Sequence, residues 1–178
     1  MSGIPWRWLM MAGAACLAIE AGWAADKPTV FDEESLQVDV PQGWKESQQD
    51  TAGSDSVGGW ESSDRKTSFY VIKLPTQNDM RTALDQFIDI FDQDENWQIQ
   101  KVGEFRSIKL GELPASYVQV DLELVAGDRK VPFEFHFAMV GGTGTYYLLQ
   151  GSVMKPVWKP RRDEIFRMMK SFREKKAP

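Results

Sequence analysis

The stretch LPASYVQVDLELVAGDRKVPFEFHFAMVGGTGTYYLLQGSVM, residues 113–154, decides the fold. Three runs lie inside it. In the first, Val118, Val120, Leu122 and Leu124 alternate with Gln119, Asp121 and Glu123. In the second, Phe133, Phe135 and Phe137 alternate with Glu134, His136 and Ala138, and the third, 145–153, is rich in tyrosine and leucine. Successive side chains of a strand point to opposite faces, so the alternation predicts one apolar face and one mixed face on a sheet. Ala126-Gly127-Asp128 and Gly141-Gly142-Thr143-Gly144 supply turn chemistry between the runs. The stretch therefore reads as an antiparallel meander.

Upstream, Leu36, Val38 and Val40 alternate within a predicted strand over 31–40, and Pro41-Gln42-Gly43 turns it so that Trp44 begins the return. Residues 25–30 read as a short tail and 48–59 as a polar Ser/Gly/Asp loop. Trp60 opens a brief strand, Ser62-Ser63-Asp64-Arg65 turns, and 67–74 is a stronger strand with both faces apolar, hence expected inside the sheet. Asn78 or Asp79 caps a helix to about Gln93, with Met80, Leu84, Phe87, Ile88 and Phe91 on one stripe and Asp85, Asp89 and Asp92 opposite. An extended segment follows from Asn96 through Ile99, Val102, Phe105 and Ile108. Pro156 and Pro160 end the meander and open a last helix, with Ile165, Phe166, Met169 and Phe172 inward and Arg173, Lys175 and Lys176 at its end. The order predicts an α+β fold, helices packed on a mostly antiparallel sheet.

The 178 residues suit one domain. With 42% hydrophobic and 26% charged residues the chain is globular in composition. A formal net charge of -5 disfavours nucleic acid as a partner, because phosphate binding needs a basic surface. Arg7, the uncharged run 8–19 and Gly22-Trp23-Ala24 predict a signal peptide over 1–24, cleaved after Ala24, leaving one domain over 25–178. The apolar run falls short of the roughly 20 residues a spanning helix needs. Cys16, the one cysteine, reads as a small apolar residue of that signal. A lipid anchor on Cys16 is the alternative, and only that would bring a membrane into the account. The expected compartment is the periplasm or the exterior.

No catalytic residue, cofactor or metal is nominated. His136, the one histidine, is expected to be a half-exposed strand residue, with no nucleophile or orienting acid evident beside it. Asp92 to Asn96 resembles the start of a calcium loop, but Trp97 and Gly103 stand where glycine and glutamate belong, which leaves at most weak divalent binding near Asp92 and Asp94. The glycine turn 141–144 lacks the lysine and following helix of a phosphate loop. Asp121, Glu123 and Glu134 supply carboxylate pairs of the kind a hydrolase uses, in a pattern too common to be specific. The mixed face reads first as a half-wet sheet face, or one partly covered by a helix. Its residues Tyr117, Gln119, Asp121, Glu123, Glu134 and His136, with Tyr146 and Gln150, also make it the candidate docking face.

The chain resembles the Mog1/PsbP-like superfamily, in particular small bacterial exported members related to DcrB. The resemblance rests on Phe31 with 36–40, Pro41-Gln42-Gly43-Trp44, the helix 80–91, Leu113-Pro114-Ala115, Tyr146-Tyr147-Leu148 and the closing Ser171-Phe172. These motifs are structural, and none is catalytic. The resemblance implies an α/β/α sandwich around an antiparallel sheet. It also implies binding rather than catalysis. Together with the predicted signal and the missing catalytic constellation, this gives the expectation of an exported non-enzymatic binding or accessory protein of the bacterial envelope, with another envelope protein or a hydrophobic segment laid on the sheet; the alternative is a carboxylate-based hydrolase acting in the periplasm. No ligand residue carries over from the resemblance.

Overall fold

The computed structural model describes residues 27–31, 36–47, 56–75, 78–141, 145–155 and 158–174. In chain order the strands are β1 (Lys27–Phe31), β2 (Leu36–Val40), β3 (Lys45–Glu46), β4 (Ser56–Glu61) and β5 (Thr67–Pro75), then helix α1 (Met80–Asp92), then β6 (Trp97–Val102), β7 (Arg106–Leu110), β8 (Leu113–Ala126), β9 (Arg129–Gly141) and β10 (Thr145–Met154), then helix α2 (Trp158–Ser171) and β11 (Arg173–Glu174). The meander is β8, β9 and β10. Ala126 pairs with Arg129 across a turn whose Gly127 sits at φ 60°, where a glycine meets no Cβ penalty. The second turn, 142–144, lies outside the described residues, as do 1–26 with the predicted signal and Cys16, and Lys175 and Lys176.

Two antiparallel sheets result. The larger runs β3-β4-β5-β10-β9-β8-β6, with β7 also on β8, and the smaller runs β1-β2-β11. β5 lies inside the larger sheet between β4 and β10, as its two apolar faces predict. α1 covers one face of this sheet. Its N-cap is Asp79, whose side chain accepts from the backbone N–H of Arg81 and Thr82. Leu84, Ile88 and Phe91 point inward onto Val118, Val120, Leu122, Phe135 and Phe137. Burying each such side chain contributes roughly 1.5–3 kcal/mol. α2 and the small sheet cover the other face, where Leu36, Val38, Ile165, Met168 and Phe172 meet Phe69, Val71, Leu149 and Val153. The architecture is thus an α/β/α sandwich of the α+β class, with the small sheet sharing the α2 layer.

Five local expectations change. Residues 27–31 are not a tail but β1, paired with β2. The strand expected over 31–40 is β2 alone in its described half, since 32–35 lie outside the described residues. Trp44 does not return along β2: the turn is made (Trp44 N–H to Pro41 O, 3.2 Å), but the chain then passes to β3, which pairs with β4 in the larger sheet. Ser56 to Gly59 are strand rather than loop, because Gly59 lets the Tyr70 ring of the neighbouring strand lie on its backbone. The short run at Arg173 is also strand: β11 pairs with β2, and the Arg173 guanidinium reaches Asp39 at 3.0 Å.

Candidate docking face

Register decides which side chains share a face. Gln119 stands opposite His136 and Asp121 opposite Glu134. Tyr117, Gln119, Asp121 and Glu123 of β8, with Glu134 and His136 of β9, all point to the α2 side. Tyr146 and Gln150 do not. They alternate with Tyr147 and Leu149 and lie on the α1 side, where Tyr146 packs with that core.

Two carboxylates directly across a strand pair repel each other. Here each has its own cation: Lys155 Nζ lies 3.1 Å from Asp121, and Arg162 Nε lies 3.4 Å from Glu134. Glu134 also accepts from Gln119 Nε2 at 3.0 Å and faces His136 Nε2 at 2.8 Å. On the other side of the ring, Tyr117 Oη lies 2.7 Å from His136 Nδ1. Burial, and then the charge of Glu134, raise the Tyr117 phenol to about 12, against the opposing pull of Arg162 and Arg106. The phenol therefore keeps its proton. His136 lies between Tyr117, which it meets at hydrogen-bond distance through Nδ1, and Glu134, which stands in ion-pair contact with Nε2.

His136 is not half-exposed, as its place in an alternating strand suggested. It is fully buried at 0%. The reason lies in α2: the Phe166 ring sits 4.8 Å from the imidazole. Gly151, the β10 partner of His136, carries no Cβ, and Ile165 Cγ2 occupies the place one would take. A glycine inside a strand often marks such a close approach. Gly151→Ala is expected to push α2 outward and cost about 1–3 kcal/mol, an overpacking effect. Thermal unfolding should then fall by about 2–4 °C per kcal/mol. An unchanged midpoint would mean that α2 is seated elsewhere.

Of the six nominated residues, Tyr117, Gln119 and Asp121 reach a common surface feature. They help line a groove of about 650 Å³ between α2 and the β6–β7 rim. Glu134 and His136 lie beneath it as buried support. Glu123 stands at the far end of β8, paired with Lys130 at 3.2 Å. The groove residues that sequence reading passed over are Lys101, Arg106, Lys109, Arg162 and Lys170. For Lys101, Arg106 and Lys109 the one signal was the mixture of basic and apolar residues in 101–110, and Arg162 and Lys170 gave none.

Glu134 is poorly suited to the general acid of a carboxylate hydrolase. Such chemistry needs one carboxyl held protonated near neutrality. Burial alone would raise Glu134, but the close contact and charge of His136, with Arg162 and Lys155, outweigh it and hold Glu134 below its ordinary 4.5. That is the reverse of the shift a general acid requires. At the suspected calcium loop, Asp94 instead accepts from the Asn96 backbone N–H at 2.9 Å and from its side-chain amide at 2.8 Å, a local turn.

An antiparallel sheet held between two helical layers in this order is the Mog1/PsbP-like fold. The chain is similar to cyanobacterial PsbP (CyanoP) of Synechocystis, with 13% identity over 90% of this chain and 98% of that one and a TM-score of 0.59. It is similar to the Ran-binding protein Mog1p of Saccharomyces cerevisiae, with 11% identity over 86% and 97% and a TM-score of 0.55. It is also similar to LpqN of Mycobacterium tuberculosis, described as involved in cell envelope biogenesis, with 14% identity over 83% of each chain and a TM-score of 0.53. No family model and no curated protein matches the sequence. Among the described residues no helix is long and apolar enough to cross a membrane.

Proposed function

We propose that the chain is an exported, non-catalytic binding protein of the cell envelope that docks a partner protein in the groove between α2 and the β6–β7 rim. The observation that carries this reading is the groove itself. α2 closes over His136 and leaves Tyr117, Gln119 and Asp121 at the floor of a feature within the usual size of a ligand site. The predicted signal over 1–24 supports export. The fold is shared with one protein described as Ran-binding and another tied to envelope biogenesis, which supports a binding role in that compartment.

Expression of the full chain in a bacterial host with an outer membrane tests the reading in two measurements. The mass of the mature N-terminus should begin at Ala25; an acylated Cys16 would make the protein a lipid-anchored one. Crosslinking of the released protein in envelope extracts should yield a protein adduct. A partnerless protein with measurable turnover on an ester or glycoside would overturn the reading.

A further inference from the structure

We infer that the groove recognises an acidic, extended segment of the partner, in which acids alternate with apolar residues. This deepens the docking reading and rests on it. Five basic residues from three elements line the groove: Lys101 on β6, Arg106 and Lys109 on β7, and Arg162 and Lys170 on α2. Two acids, Glu104 and Asp121, stand among them. This surplus of cations lies in a chain whose formal net charge is -5.

The acids are already engaged. Glu104 pairs with Arg106 at 3.7 Å and Asp121 with Lys155 at 3.1 Å, while Arg162 is held by the buried Glu134 at 3.4 Å. Lys101, Lys109 and Lys170 are exposed, and their side chains form no hydrogen bond or ion pair among the described residues. A concave site rimmed by one sign of charge concentrates ligands of the other sign.

The floor and the edge narrow the class. Ile108, Leu110, Phe166 and Met169 add apolar lining beside Tyr117, Gln119 and Asp121. β6 and β7 each pair with β8, and among the described residues neither has a strand on its outer side. An extended segment laid there finds unpaired backbone for strand addition, apolar ground for alternate side chains and lysines for the acids between them. A free anion or a lipid headgroup would use only the last of these.

A fluorescein-labelled peptide of alternating glutamate and valine, titrated against the full chain by fluorescence anisotropy, tests the inference. It should bind, and more weakly as salt rises. Binding should weaken about tenfold or more in the Lys101→Glu, Lys109→Glu, Lys170→Glu variant, since three attractions become repulsions. A charge-matched control, Lys45→Glu, Arg129→Glu, Lys159→Glu, alters no groove residue and should bind as the parent does. All six positions are exposed, so both variants should keep the parent circular dichroism.

Equal weakening in both variants overturns the inference, as does equal affinity for a glutamine–valine peptide. In the latter case docking in the groove survives and only its charge preference falls. Displacement of the peptide by phosphatidylglycerol vesicles that themselves bind through the three lysines overturns it in favour of a membrane surface. No binding of either peptide, together with partner crosslinks that map away from the groove, removes both this inference and the docking reading.

Discussion

Phe91→Ala is expected to lower the unfolding free energy by about 3–5 kcal/mol, the usual cost of deleting a packed core ring. Phe91 is 5% exposed and holds α1 to the sheet. Its ring centroid lies 5.5 Å from Phe135, 5.8 Å from Phe137 and 5.9 Å from both Phe87 and Trp97. These rings come from α1, β6 and β9. Such a junction cannot collapse around a missing ring without moving an element, so the cavity persists. Denaturant unfolding should show the loss, and thermal unfolding a fall of about 2–4 °C per kcal/mol. Asp85→Ala, on the solvent face of the same helix, should stay within about 0.5 kcal/mol. A Phe91→Ala protein as stable as the parent would mean that α1 does not sit on this face.

The second large effect belongs to the buried polar chain. Glu134→Leu removes the acceptor of Gln119, the counter-charge of Arg162 and the ion-pair contact of His136, and is expected to cost about 3 kcal/mol or more. The double change Glu134→Leu, His136→Phe should be less damaging than Glu134→Leu alone, because it leaves no buried imidazole facing an apolar side chain where its carboxylate neighbour stood. The pH dependence follows from the direction of the Glu134 shift. Its folded-state carboxyl titrates below the unfolded value near 4.5. Its stabilising contribution is therefore whole above that value and is lost as pH falls through the lower, folded one. The groups that set it are His136 on the same strand, Arg162 on α2 and Lys155 after β10. Urea midpoints measured from neutrality down to pH 3 should fall more steeply in the parent than in Glu134→Gln. Parallel curves would contradict the network.

Much of the architecture was legible because it is written in period. The alternation of Val118 to Leu124 against Phe133, Phe135 and Phe137 fixes one apolar face, and the stripe Leu84, Ile88, Phe91 is the helix that covers it. The resemblance to the Mog1/PsbP-like superfamily rested on such motifs, and the structural neighbours share that fold. What period does not carry is contact between elements distant in the chain. β1 and β11 are strands because β2 lies between them.

The same limit applied to the docking face. Strand alternation placed Tyr117, Gln119, Asp121, Glu134 and His136 together correctly. It could not say that Phe166 of α2 lies over His136, which turned a half-exposed residue into a buried one. The hint was Gly151, whose missing Cβ admits Ile165. The basic rim was harder still, because Lys101, Lys109 and Lys170 come together only when β6, β7 and α2 are in place.

Site-specific photocrosslinking in intact cells tests the docking groove most directly. A photoreactive phenylalanine analogue would replace Lys101 or Lys109 on the rim, and Asp85 or Asp89 on the outer face of α1 as controls. The account predicts a discrete protein adduct from the two rim positions and none from the α1 positions. Adducts from α1 alone, or none from the rim, would contradict it.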